Sequence, residues 1–166
     1  MKNIKFSLTL TLLGFLSVTS GIINADSGEF EYAVSGSHNL KNINFKDITY
    51  TGGHLTGAMM ITKSTGGAFK VGMGGTMECV VFSQKSGNNG EIVASCHVNF
   101  TGADGGFNSF LKRKTGTIQS SGAGGKGTQE LHGIGSMENI KGSCEYSVQF
   151  HALKQVTSLG NCKWSN

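Results

Sequence analysis

Hydrophobic and polar positions alternate with a period of two along most of the chain after residue 25. Phe30, Tyr32 and Val34 begin the pattern. Met77, Cys79 and Val81 repeat it, then Ile92, Ala94, Cys96, Val98 and Phe100, then Cys144, Tyr146, Val148 and Phe150. Successive side chains of a strand point to opposite faces, so this pattern predicts strands with one buried face. Further strands are predicted near residues 55–62 and 107–111, and Phe69, Val71 and Met73 extend the alternation. The stretch 36–46 reads as polar and broken. Gly74-Gly75 and Gly102, Gly105 and Gly106 punctuate the strands, and SSGAGGKG at 120–127 reads as a loop or a set of bulges. Beyond residue 25 no stretch of helical period and no solenoid-length repeat occurs. About eight short strands with turns between them predict an all-β barrel or sandwich.

The first 25 residues differ in kind. Lys2 and Lys5 precede the apolar run FSLTLTLLGFLSV at 6–18, and the small residues Ser20, Gly21 and Ala25 follow. This is the layout of a secretory signal peptide with its cut between Ala25 and Asp26. The run is short of the ~20 apolar residues a membrane-spanning helix needs. The expected organisation is therefore a leader, 1–25, and one domain, 26–166, exported to the periplasm or the medium.

Composition narrows the class. Glycine is 26 of 166 residues, proline is 0 and charged residues are 14%, against usual shares of ~7%, ~5% and ~25%. A net charge of +4, falling to +2 once Lys2 and Lys5 leave with the leader, is too small for a general polyanion binder, so no nucleic-acid partner is expected. Lys112-Arg113-Lys114 is the one dense basic run and reads as a solvated strand end. Aromatic residues are 8%, few for the two girdles of an outer-membrane barrel, so no integral membrane segment is expected after the leader.

All four cysteines follow the leader, and an even number in an exported chain points to disulfides. Alternation and spacing favour Cys79–Cys96 and Cys144–Cys162. If Cys79 faces Cys96 in a hairpin, paired residues sum to 175, and the turn falls at Gly87-Asn88, a sequence suited to a tight hairpin turn. The competing turn Asn89-Gly90 would place Phe100 opposite Cys79. That shifts the cysteines out of register by about 13 Å, too far for a bond. Zinc is a weaker use of these residues, because Cys96 and His97 point to opposite faces of one strand.

The segment GIGSMENIKGSCEY, 133–146, resembles a motif of small exported bacterial proteins with the allene oxide cyclase-like barrel, related to dirigent proteins. Gly133, Gly135, Ile140, Gly142 and Tyr146 match it, while Met137 stands where an aromatic residue is usual. Cys162-Lys163-Trp164 resembles the family's closing Cys-x-Trp, and 96–113 its cysteine strand, Asp/Gly turn and basic-ended strand. The resemblance implies an antiparallel up-and-down barrel of about eight strands. It carries over no catalytic residue. Relatives often hold several aspartates in the turn where this chain has Asp104 alone, so no metal site is carried over either.

No catalytic constellation is legible. His38, His54, His97, His132 and His151 are scattered, and GAGGKG at 122–127 lacks the ending and the following helix of a phosphate loop. His132 with Glu130 reads as a solvated strand edge. The expectation is a non-enzymatic barrel without a cofactor or metal that takes a small apolar ligand or protects the envelope. The alternatives are an isomerase or cyclase acting inside the barrel and a surface protein that meets a host. Phe30, Tyr32, Phe69, Met73 and Trp164 are the residues expected to line or fill the interior. Met59 and Met60 point to opposite faces, so at most one of them belongs there.

Overall fold

Eight strands follow one another around a closed antiparallel barrel in the order of the sequence, and the last pairs back onto the first. They are β1 (Ser27–Phe45), β2 (Ile48–Ser64), β3 (Gly74–Ser86), β4 (Asn89–Phe100), β5 (Gly105–Gly116), β6 (Gly124–Gly135), β7 (Lys141–Phe150) and β8 (Gln155–Ser165). The computed structural model describes residues 26–87, 89–116 and 122–166. The expected leader with its cut after Ala25, and Asn88 of the β3–β4 turn, lie outside the described residues.

Both disulfides form as the alternation requires. Cys79 is bonded to Cys96 and Cys144 to Cys162, each across an antiparallel pair. The β3–β4 register keeps the sum of 175 from Gly75↔Phe100 to Ser86↔Asn89. Gly87 opens the turn with φ +57°, a left-handed conformation that glycine adopts without a Cβ clash.

Two readings of the chain are corrected. The stretch 36–46 is not broken: β1 runs through it to Phe45 and pairs with β2 down to Phe45↔Ile48. Past Leu40 its inward positions, Asn42 and Asn44, are polar and join across the pair. Thr51 donates to Asn42 at 2.6 Å and Thr49 to Asn44 at 3.0 Å, so the pairing rests on cross-strand polar contacts rather than on an apolar face. Conversely, the alternation at Phe69, Val71 and Met73 does not make a strand. Residues 65–73 form the β2–β3 loop, with one isolated bridge between Gly66 and Phe69. Val71 is exposed, whereas Phe69 is 1% exposed and turned into the barrel.

The interior has two unlike halves. At the end that carries the β2–β3, β4–β5 and β6–β7 loops, Phe69 stacks on Phe30 with ring centroids 4.1 Å apart and meets Trp164, Phe100 and Phe107 edge-on. Met137 and Ile140 from the β6–β7 loop, with Leu131 and the Cys144–Cys162 bridge, complete this core. The Gly133 and Gly135 of the motif make the turn into that loop. Gly135 has φ +61°, and Gly133 lies too close to the Met137 carbonyl for a Cβ. Toward the other end a smaller cluster surrounds Cys79–Cys96 with Val81, Leu40, Leu55, Ala94 and Leu111.

Candidate functional site

Tyr32 and Tyr146 cross the barrel between its halves. Their rings lie over glycines of neighbouring strands: Tyr32 against Gly160 of β8, and Tyr146 against Gly127 of β6, where a Cβ would stand 2.7 Å from the ring. Only glycine leaves this space, which holds both rings inside. The Tyr32 hydroxyl donates to Oε1 of buried Gln129 at 2.7 Å. Burial raises its pKa above the ordinary phenol range, an effect partly offset by the Ser158 hydroxyl. At neutral pH it is a neutral hydrogen-bond donor.

Beyond the tyrosines, toward the hairpin end, lies a cavity of about 70 Å³, counted as space open to the centres of water molecules. One water needs ~10–15 Å³ on this measure, so the space takes several waters or the slim part of a small organic molecule. Its wall is apolar and includes Met59, Leu55, Val81, Ala94, Leu111 and Phe150. The polar groups on it are Tyr32, Gln129, Tyr146, Ser158 and Arg113. A larger depression of about 550 Å³ edged by Glu31, Lys114, Lys126 and Glu145 lies on the outer wall and is open to solvent, so it encloses little.

Arg113 is the one charged residue of the cavity's described lining, which includes no carboxylate. In sequence it sits in the basic run read as a solvated strand end. Lys112 and Lys114 are exposed, but Arg113 is half-buried and faces inward. The β5–β6 register slips between Arg113 and Thr115, and such bulges re-aim side chains at barrel rims. Gly125 on β6, two residues before Arg113's register partner Gly127, makes room: a Cβ there would stand 2.8 Å from Arg113 Cδ. The guanidinium lies 5.9 Å from the centroid of the Phe150 ring, within cation–π range. His38 meets Phe150 edge-on, with centroids 5.2 Å apart. Burial, and then the Lys154 ammonium, lowers the His38 pKa from its ordinary value.

Of the residues expected to line or fill the interior, Tyr32 borders the cavity. Phe30, Phe69 and Trp164 pack on one another in the closed half, and Met73 packs partly buried against them. Met59 is buried in the cavity wall, while Met60 is exposed on the outside. His97 is exposed, with Nδ1 2.8 Å from Asn108 Oδ1, and Cys96 is held in its disulfide. His132 and Glu130 are both exposed on β6. Among the described residues no group of three or more His, Cys, Asp or Glu gathers, and no helix is long and apolar enough to cross a membrane. The alternation marks the cavity's apolar positions in sequence, but Arg113 is hidden there by its basic neighbours. No family model matches this chain, and neither a curated protein nor a solved structure matches it.

Proposed function

We propose that this is an exported, non-enzymatic barrel of the allene oxide cyclase-like kind that binds a small apolar molecule with one anionic end in the hairpin half of its interior. The observation that carries this reading is the cavity itself: an apolar wall with a single inward cation, Arg113, at its hairpin side. Apolar burial would drive binding, and the guanidinium would orient the ligand by pairing with a carboxylate or sulfonate. The two disulfides fit an oxidising compartment outside the cytoplasm. The polar groups on the wall favour holding a ligand over transforming it. The Tyr32 phenol is committed to Gln129 and kept protonated by burial, which makes it a poor general base.

Titration of the oxidised protein with an anilinonaphthalene sulfonate dye tests the reading. Saturable fluorescence enhancement and displacement by a medium-chain carboxylate are expected. Ala94→Phe, which fills the cavity, should abolish both while the protein stays folded. Arg113→Met should weaken the anionic dye about tenfold and leave an uncharged apolar dye unaffected. No saturable binding by the folded protein, or binding indifferent to Ala94→Phe, refutes the reading.

A further inference from the structure

The net charge of the domain conceals a separation of charge along the barrel. Each strand can be divided at the level of the tyrosines and the Cys79–Cys96 bridge, using the strand registers. The hairpin half then holds Lys41, Lys46, Lys85, Lys112, Arg113, Lys114, Lys126 and Lys154 against Asp47 and Glu91, eight cations and two anions, or +6. The other half holds Lys63, Lys70, Lys141 and Lys163 against Asp26, Glu29, Glu31, Glu78, Asp104, Glu130, Glu138 and Glu145, four cations and eight anions, or −4. The two ends lie roughly 30 Å apart at ~3.3 Å per residue on tilted strands. Glu31, Glu145, Lys114 and Lys126 meet in one depression at the dividing level, but the tip cations Lys41, Lys46, Lys85 and Lys154 lie several Debye lengths at physiological salt from the acidic residues of the opposite end. Of the cations in the hairpin half, Lys112 is bonded to Glu91 at 2.8 Å.

The same end exposes apolar side chains at its tips. β1 pairs with β8 only as far as Ser37↔Gln155, and β4 pairs with β5 only from Val93↔Lys112. The last residues of β1 and β3 and the first of β2 and β4 therefore project past the rest of the barrel as a flap. At its tip Ile43 is 70% and Phe45 61% exposed, and Leu153 in the neighbouring β7–β8 loop is 90% exposed. Lys46 stands 5.5 Å from the centroid of the Phe45 ring, and Lys41 is exposed two residues before Ile43. Asp47 in the same turn accepts a hydrogen bond from the Ser86 hydroxyl, and an aromatic and aliphatic tip flanked by Lys41 and Lys46 fits an anionic bilayer: the apolar side chains enter the headgroup boundary, and the ammonium groups stay among the phosphates.

We propose that the hairpin end is a docking surface for membranes containing anionic lipid, with Phe45 and Ile43 inserting and Lys41, Lys46, Lys85 and Lys154 facing the headgroups. This orientation turns the cavity toward the bilayer. The proposal stands whether or not the cavity takes a ligand, because the tip residues are not part of its wall.

Co-sedimentation of the folded, disulfide-bonded protein tests it, using vesicles of phosphatidylcholine alone or mixed with phosphatidylglycerol. Binding is expected only to the mixed vesicles, and it should be lost as salt rises from ~0.1 M to ~1 M, where the Debye length shrinks from ~10 Å to ~3 Å. Lys41→Glu with Lys46→Glu should weaken binding at least tenfold, and Phe45→Ser several-fold. Lys70→Glu with Lys141→Glu, at the opposite end, should not weaken it. Near-UV circular dichroism verifies that each variant is folded, and the salt dependence of the unaltered protein needs no variant at all. Absence of binding to the mixed vesicles, or equal weakening by the opposite-end pair, overturns the proposal. Retention on a soluble polyanion such as heparin without vesicle binding overturns the lipid assignment and points to an acidic macromolecule instead.

Discussion

The two halves of this barrel are built from the same eight strands and hold one disulfide each, yet one is packed solid and the other is hollow. In the packed half, the loops contribute. Phe69 from the β2–β3 loop and Met137 and Ile140 from the β6–β7 loop turn inward and fill what the strands leave open. In the hairpin half no described loop residue enters the interior, and a cavity remains beneath Leu40, Leu55 and Phe150. An eight-stranded barrel is at the size where side chains either fill it or leave room for one small ligand. This chain does both, and the loops decide which half is which.

Removing the plug should have the largest effect. Phe69→Ala should destabilise the protein by about 3–5 kcal/mol, as for other fully buried aromatic residues. Leu55→Ala, in the half-buried wall of the cavity, should fall well below that. Urea unfolding of both variants measures the difference, and similar losses would mean that the hairpin half is as tightly packed as the other. The disulfides offer a second contrast. Their sequence separations are 17 and 18, so the chain-entropy contribution is about 3 kcal/mol for each. Cys144–Cys162 also belongs to the packed core, whereas Cys79–Cys96 borders the cavity. Replacing Cys144 and Cys162 by alanine should therefore lower the thermal midpoint more than replacing Cys79 and Cys96, and the opposite order would count against the division.

Smaller effects sharpen the boundary between the halves. Tyr32→Phe removes the donor to Gln129 Oε1. Leaving a buried acceptor unpaired costs about 1–3 kcal/mol, and a loss near the lower figure is expected here because the cavity beside Gln129 has room for a water to pair with the amide. A loss at the upper figure would show that the cavity is dry. His38, at the cavity's outer side, should produce the smallest effect. Its folded pKa lies below the unfolded value of about 6.5, so the unfolded chain binds the proton first. Its contribution is constant above that pH and declines as pH falls through it toward the folded value. Denaturation midpoints of the protein and of His38→Gln, compared between pH 8 and pH 5, should diverge slightly on the acid side and coincide on the alkaline side.

Where the sequence was legible, one face of a strand was apolar and the other was not. Period-two alternation and paired cysteines were enough for the all-β class, the β3–β4 register and both disulfides, because a slip of one residue would expose a whole apolar face. The flap escaped that logic. Its inward face is polar, with Asn42 and Asn44 exposed and Thr51 buried, so Asn42, Asn44, Thr49 and Thr51 pair across the strands without leaving an apolar signal. Residues 69–73 failed in the opposite sense. Three apolar residues at period two imitate a strand, while in the folded chain Phe69 plugs the barrel end and Val71 faces water. Arg113 looked like one of three equivalent basic residues until the bulge and Gly125 placed it inside.

By itself, then, the chain determined what depends on local pattern: an all-β domain, the strand faces, the disulfide pairs and the absence of any linear catalytic motif. Only the tertiary structure decided what depends on which distant residues share an end of the barrel. The division into a packed and a hollow half, the inward cation and the +6 and −4 halves belong to that second kind. A net charge is a sum over the sequence, and an electric field is a sum over positions. A sequence with modest net charge therefore carries no sign of the polarised barrel until the strands are laid side by side.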